Sequence, residues 1–249
     1  MDTRFWGPSG WSLLHLITYA PDQNQKAVCK FFHTLAYILP CKYCRYSFSQ
    51  YMIEDPIDNS CDTPEHLQKW LWKVHNKVNK KVEKKTPDPP FSDVTKIYKE
   101  KLAQGCSRTH FEGWDFLFSV AETHPLSRAG RGSVPINDAP PIEELTTPLL
   151  RNKWNMMEPE ERMKYYNEFW ECLPKVLPFT EWRGLWKPDI DTSSRKETIA
   201  SLWKIRSTME KELELLNKTN YNSLCEVLRT YRSGCGASSR SKTCRKKRR

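Results

Sequence analysis

Apolar residues in this chain recur at steps of three and four, and no segment alternates convincingly with period two. That pattern confines the fold to packed helices. Residues 24–39 place Val28, Phe31, Phe32, Leu35, Ile38 and Leu39 on one helical face, and Pro40 stops the helix. Cys41 can open the next one. The clearest start is Thr63-Pro64, a capping hydroxyl followed by a proline whose missing N–H costs nothing in the first turn. From there Leu67, Trp70, Leu71, Val74, Val78 and Val82 follow at helical spacing. Ser92 is a candidate cap for a short fifth helix through Val94, Ile97, Tyr98 and Leu102. Residues 123–149 hold five prolines and two glycines without periodicity and read as a linker. Beyond it, helical patterns return at about 158–173, 196–217 and 219–231. No stretch approaches the roughly 20 apolar residues of a membrane span, and the N-terminus lacks the features of a secretory signal.

The net charge of +10 is a property of the tail, since nine Lys/Arg and no acid lie between Arg229 and Arg249. The remaining 31 basic residues nearly balance the 30 acidic ones, so the body presents no broad anion-binding groove. Nine cysteines, an odd number without an export signal, point to redox chemistry or metal binding. Cys41-Lys42-Tyr43-Cys44 sits at a helix start, where free N–H groups and the helix dipole favour a thiolate. Such a pair suits repeated attack by thiols and re-oxidation. The same residues admit a second reading. Cys29, His33, Cys41 and Cys44 form Cys-x3-His-x7-Cys-x2-Cys, four soft donors that could close a tetrahedral zinc site. Cys29 can also be only a small hydrophobe on a packed face.

Two further segments bear on the choice. Trp6-Gly7-Pro8-Ser9-Gly10-Trp11-Ser12-Leu13-Leu14-His15 sets Trp11 and His15 one turn apart. Trp70-Leu71-Trp72-Lys73-Val74-His75-Asn76-Lys77-Val78-Asn79 does the same for His75 and Asn79, beside an apolar stripe. An imidazole and a carboxamide against a hydrophobic face can hold a flat, hydrogen-bonding aromatic ligand. Taken singly, either segment reads better as core tryptophans and satisfied core histidines.

Together and in this order, these motifs over residues 5 to 105 resemble the Erv/ALR family of FAD-linked sulfhydryl oxidases. The carriers are Trp11 with His15, Cys41 and Cys44 with Phe48, and Trp70 through Asn79. The resemblance implies an all-α fold, a four-helix bundle with a short fifth helix holding FAD non-covalently, commonly as a homodimer. It implies Cys44 against the flavin and Cys41 in exchange with incoming thiols. Gly7, Trp11, His15, His75, Asn76, Val78 and Asn79 would contact the cofactor, with Lys81, Lys84 and Tyr98 near its phosphates and adenine. Cellular members usually carry a cysteine where this chain has Trp72, paired with another soon after the His-Asn helix. No cysteine falls between Cys61 and Cys106, so that disulfide is missing. The forms of large DNA viruses lack it too, and some carry an extra C-terminal helical domain. This chain is most similar to those, which implies an enzyme of the host cytoplasm at viral assembly sites.

The expected organisation is an oxidase domain at 1–110, a connecting helix and linker at 111–149, a helical domain of unnamed role at 150–231 and a disordered basic tail at 232–249. The second half offers aromatic core positions and no evident chemistry; Cys172 and Cys225 lie in helical patterns. Cys235 and Cys244 are candidates for a flexible electron shuttle, with Cys61 and Cys106 as the competing pair. The basic tail is also a candidate nucleic-acid contact. The expected activity is oxidation of protein thiols to disulfides by molecular oxygen, giving hydrogen peroxide. The alternative is a zinc-stabilised helical adaptor.

Overall fold

The structure, a computed structural model, describes residues 1–21, 24–82, 86–104, 108–128 and 134–232. Among these residues every regular element is a helix. The first is α1 (Thr3–Tyr19), capped by Asp2, whose carboxylate accepts from Arg4 N at 2.9 Å. Next comes α2 (Gln25–Ile38), capped by Asn24. Cys41 is the N-cap residue of α3 (Lys42–Glu54), and it supplies no side-chain cap bond. The Thr63 hydroxyl accepts from His66 N at 3.2 Å to open α4 (Pro64–Lys81), as the Thr-Pro pair predicts. The fifth helix, α5 (Phe91–Ala103), starts one residue before the cap expected at Ser92. Pro90 ends the extended loop there, and the Ser92 hydroxyl turns to Asp93 instead.

Helices α1 to α4 form the expected bundle, with α5 laid against α1 and α4. The rest of the chain is α6 (Trp114–Glu122), α7 (Pro148–Lys153), α8 (Pro159–Val176), α9 (Thr180–Leu185), α10 (Arg195–Glu212) and α11 (Tyr221–Tyr231). These helices do not stand apart from the bundle. One continuous apolar core runs through both halves. Helix α8 lies along α2, with Phe31 stacked on Phe169 at 5.2 Å and Tyr37 on Tyr165 at 3.6 Å between ring centroids. Helix α6 lies along α1, where Gly10 meets Phe116 so closely that a Cβ would sit 3.2 Å from its ring. The packing therefore includes α6, whose Phe116, Leu117, Phe118, Val120 and Ala121 are fully buried.

Cys29 and Cys61 form a disulfide, Cα–Cα 5.8 Å, tying α2 to the 3₁₀ turn Ile57–Ser60 that precedes α4. This corrects two expectations. Cys29 and His33 do not join Cys41 and Cys44 in one metal site. Nine residues of helix separate Cys29 from the end of α2, about 14 Å at 1.5 Å per residue, and Cys41 lies beyond that end. Nor is Cys61 free to pair with Cys106, which lies outside the described residues. Among the described residues of the second half, Cys172 is buried and Cys225 half-buried. No helix is long and apolar enough to cross a membrane among the described residues.

Candidate active site

Helix α3 is the centre of the site because its two sides do different things. At 100° per residue, Cys44, Ser47, Phe48 and Tyr51 share one side, and Arg45 and Ser49 point away from it. The first side lines a cavity of about 610 Å³ between α1, α3, α4 and α5. That volume falls within the range of about 300–1,000 Å³ usual for small-molecule sites.

Most of the residues singled out from the sequence meet there. Gly7, Trp11, Cys44, His75, Val78, Asn79, Lys81 and Tyr98 all line the cavity. Gly7 has nothing within 4 Å of where a Cβ would stand, so the wall is open at that point. Trp11 stacks on His75 at 4.0 Å with planes 8° apart, and Tyr98 stacks on His15 at 4.8 Å. His15 Nε2 and His75 Nδ1 share a hydrogen bond of 3.2 Å, in which one ring must donate and the other accept. His15 itself is behind the wall. Burial, with the nearby His75 charge, lowers its pKa to about 3, so it is neutral at neutral pH. Tyr98 moves the other way, to about 12, through burial and the Glu112 carboxylate. Asn79 is oriented by its amide donating to Asp88 Oδ1 at 2.8 Å. The Lys81 ammonium reaches across to the Ser47 hydroxyl and the Tyr43 carbonyl on α3.

Besides His15, two expected residues among those described fall outside the wall. Asn76 is half-buried on α4 but outside the cavity wall. Cys41 is 5% exposed and also outside it. Its neighbours are held from two directions: the Met1 ammonium donates to Pro40 O at 3.4 Å, and Lys42 Nζ to Val134 O at 3.1 Å. Lys84, Cys235 and Cys244 lie outside the described residues. The sequence reading missed Ser47 and Tyr51, although they stand three and seven residues past Cys44 and so share its face. It also missed Phe116, which α6 contributes to the wall.

The opposite side of α3 carries a feature with no sequence signal. Arg45 is buried, and its guanidinium donates to Leu39 O at 3.0 Å and to Asn155 Oδ1 at 2.8 Å. Asn155, just past α7, is in the left-handed region at φ 58°, and its amide donates to Val134 O at 3.0 Å. Asn152 of α7 donates to Ala36 O at 2.7 Å and to Ser49 Oγ at 2.9 Å, fastening α7 to α2 and α3. Burial lowers the Arg45 pKa, and attraction to the Cys41 and Cys44 sulfurs offsets part of that. Asn155, from the second half, thus holds a cation beside the cysteine pair, and Asn152 fastens the helix that carries it.

The cavity suits an extended, flat, partly anionic ligand. Its walls are mainly apolar and aromatic, Lys81 offers a cation, and the buried Trp6 Nε1 and His15 Nδ1 have no partner among the described residues. These are the features that FAD would need, with its fused rings and pyrophosphate.

Comparison with known proteins agrees with that chemistry. Residues 8–102 match the model of the Erv1 / Alr family. Over 95 residues the chain is 34% identical to the mitochondrial FAD-linked sulfhydryl oxidase of Saccharomyces cerevisiae, covering 36% of this chain and 49% of that protein. It is 29% identical over 120 residues to an FAD-linked sulfhydryl oxidase of African swine fever virus, covering 45% of this chain and 98% of the relative. A probable FAD-linked sulfhydryl oxidase of Acanthamoeba polyphaga mimivirus is 29% identical over 85 residues, covering 32% of this chain and 59% of the relative. The chain thus spans about half the length of the yeast relative and nearly all of the swine fever virus one. No solved structure matches it. The cysteine pair, the paired histidines and most of the aromatic cavity lie within the segment 8–102 that is similar to the Erv1 / Alr family.

Proposed function

We propose that this chain is a flavin-dependent thiol oxidase that forms disulfides in protein substrates, with FAD as cofactor and molecular oxygen as acceptor. The observation that carries the reading is the position of Cys44, on the wall of the same cavity as Trp11, His75, Asn79, Lys81 and Tyr98. In the oxidised pair, a substrate thiolate attacks Cys41 and releases Cys44 as a thiolate facing the cavity. A second substrate thiol then displaces Cys41, leaving the substrate oxidised and the pair reduced by two electrons. FAD bound in the cavity supplies the route by which those electrons and two protons pass to oxygen, giving hydrogen peroxide. The buried Arg45 favours the thiolate forms. Neutral His15 holds the His75 ring against Trp11, and Asn79 presents its amide at the wall. Lys81, on the cavity wall, is the candidate for the cofactor phosphates.

Residues 1–110 carry the cysteine pair and most of the cavity, and α6 to α8 act as its support. A homodimer remains the assembly the family implies. Since α6 and α8 pack along α1 and α2, it would use another face, and light scattering of the purified chain tests it. Residence in the host cytoplasm, nucleic-acid contact by the basic tail and electron shuttling by Cys235 and Cys244 complete the proposal. The double Cys235→Ser/Cys244→Ser variant tests the last, which requires lost turnover on a reduced protein but not on dithiothreitol.

The central test is direct. The purified chain should carry visible flavin absorption and consume oxygen with dithiothreitol. Cys41→Ser and Cys44→Ser should each abolish turnover with flavin occupancy unchanged. Normal turnover by Cys44→Ser, or a colourless protein that added FAD does not activate, would overturn the reading.

A further inference from the structure

The Cys29–Cys61 disulfide has a histidine beside it. One ring nitrogen of His33 and the two sulfurs lie within 4.8 Å of one another. His33 is one turn after Cys29 on α2, and its Nε2 meets Asp58 Oδ1 at 2.9 Å. Asp58 is three residues before Cys61, in the 3₁₀ turn. A disulfide needs neither an imidazole at its edge nor a carboxylate behind the imidazole. A zinc-type site uses both, because a ligating histidine usually hands its other ring nitrogen to a carboxylate that fixes its tautomer.

We infer that Cys29, Cys61 and His33 form a second site with two states, a disulfide when oxidised and a tetrahedral thiophilic-cation site when reduced. Zinc ligands at roughly 2.0–2.3 Å from the metal stand about 3.5–3.8 Å from each other, so donors already within 4.8 Å need only small side-chain rotations. The two thiolates balance the double charge of the cation, and water or the Asp58 carboxylate completes the fourth position. The scaffold is fixed on both sides. Helix α2 is packed against α8, and Gln25 Nε2 donates to Thr63 O at 3.2 Å, which holds the loop after Cys61 to the start of α2. Cys29 is 8% exposed, whereas His33 and Cys61 reach the surface, so a small cation can enter while the site stays shaped.

The conversion balances without any group from the cavity. A dithiol reductant gives two electrons and two protons to the Cys29–Cys61 bond and becomes a disulfide itself. Cation binding then releases the two thiol protons. Re-oxidation of the pair reverses this and expels the cation. The site belongs to the far end of α2 from Cys41 and stands independently of the oxidase reading.

The full-length chain is reduced anaerobically with a phosphine, freed of it, and titrated with Co²⁺ and then Zn²⁺. Reduced wild type should bind one Co²⁺ with a thiolate-to-cobalt charge-transfer band that Zn²⁺ displaces. The air-oxidised chain should show no band. The Cys41→Ser/Cys44→Ser variant should keep it and Cys29→Ser/Cys61→Ser should lose it. His33→Ala, at a position that reaches the surface, should bind at least about tenfold more weakly, and Asp58→Ala about tenfold more weakly. Equal affinity in His33→Ala and wild type, a band that follows Cys41 and Cys44, or no band in the reduced wild type would overturn the inference.

Discussion

Asn155 is the point at which the second half of the chain reaches the redox pair, and replacing it separates three effects. Its Oδ1 accepts from a buried guanidinium that also donates to Leu39 O. Losing a hydrogen bond to a buried charged group costs about 1.5–3 kcal/mol. Asn155 also sits at φ 58°, a left-handed conformation that asparagine tolerates and that costs alanine about 1–2 kcal/mol. Asn155→Ala should therefore destabilise the chain by about 2.5–5 kcal/mol, a fall in Tm of roughly 5–20 °C for a protein this size. Asn155→Gly relieves the backbone strain and should recover about 1 kcal/mol of it. Asn155→Asp keeps an acceptor for Arg45 but sets a negative charge against it. Stability should then stay near wild type, while the field on the Cys41 and Cys44 thiolates weakens. The pH profile of dithiol oxidation should move upward, because thiolates form less readily. Urea unfolding at fixed FAD concentration measures the first two variants, and oxygen consumption against pH the third. A loss below about 1 kcal/mol in Asn155→Ala would refute the clamp. So would glycine no better than alanine, or an unmoved pH profile in Asn155→Asp.

His15 predicts an acid-sensitive fold. Its folded pKa is about 3 against 6.5 in the unfolded chain, so between those values only the unfolded chain takes up the proton. Its contribution is intact above 6.5 and is lost as pH falls toward 3, at up to about 1.4 kcal/mol per unit. His15→Gln should flatten that part of the slope, measured as unfolding free energy between neutral pH and about pH 5 relative to wild type. Truncation after residue 112 removes α6 and α8 from the packed faces of α1 and α2 and takes Phe116 from the cavity. The fragment is expected to be insoluble or flavin-free when expressed; a soluble, flavin-loaded oxidase would show that the bundle suffices alone. Lys81→Met should lower flavin retention on gel filtration, while apo-protein stability falls by no more than about 1.5 kcal/mol, the net worth of a hydrogen bond to α3.

What could be read in the sequence was whatever a helix states locally. The Thr63-Pro64 start, the α4 stripe and the Cys41-x-x-Cys44 step all depend on residues within one or two turns. The short helices α7 and α9 have six residues each, too few to display a period, and owe their form to what they pack on. Asn155 with Arg45, and Asn152 with Ala36, pair residues more than a hundred positions apart, so no local pattern marks them. The Cys29–Cys61 link spans 32 residues and was hidden differently, because Cys29 also suited a plausible local metal pattern. One signal of the second half's role was nevertheless present. A helix of a free-standing bundle leaves one side polar, whereas a helix apolar all round must be covered all round. From Phe31 to Ile38, α2 exposes His33 alone, and every other residue of that run is buried. Four helices cannot surround it. The burial of the run therefore needs a further layer on α2, which is where α8 lies.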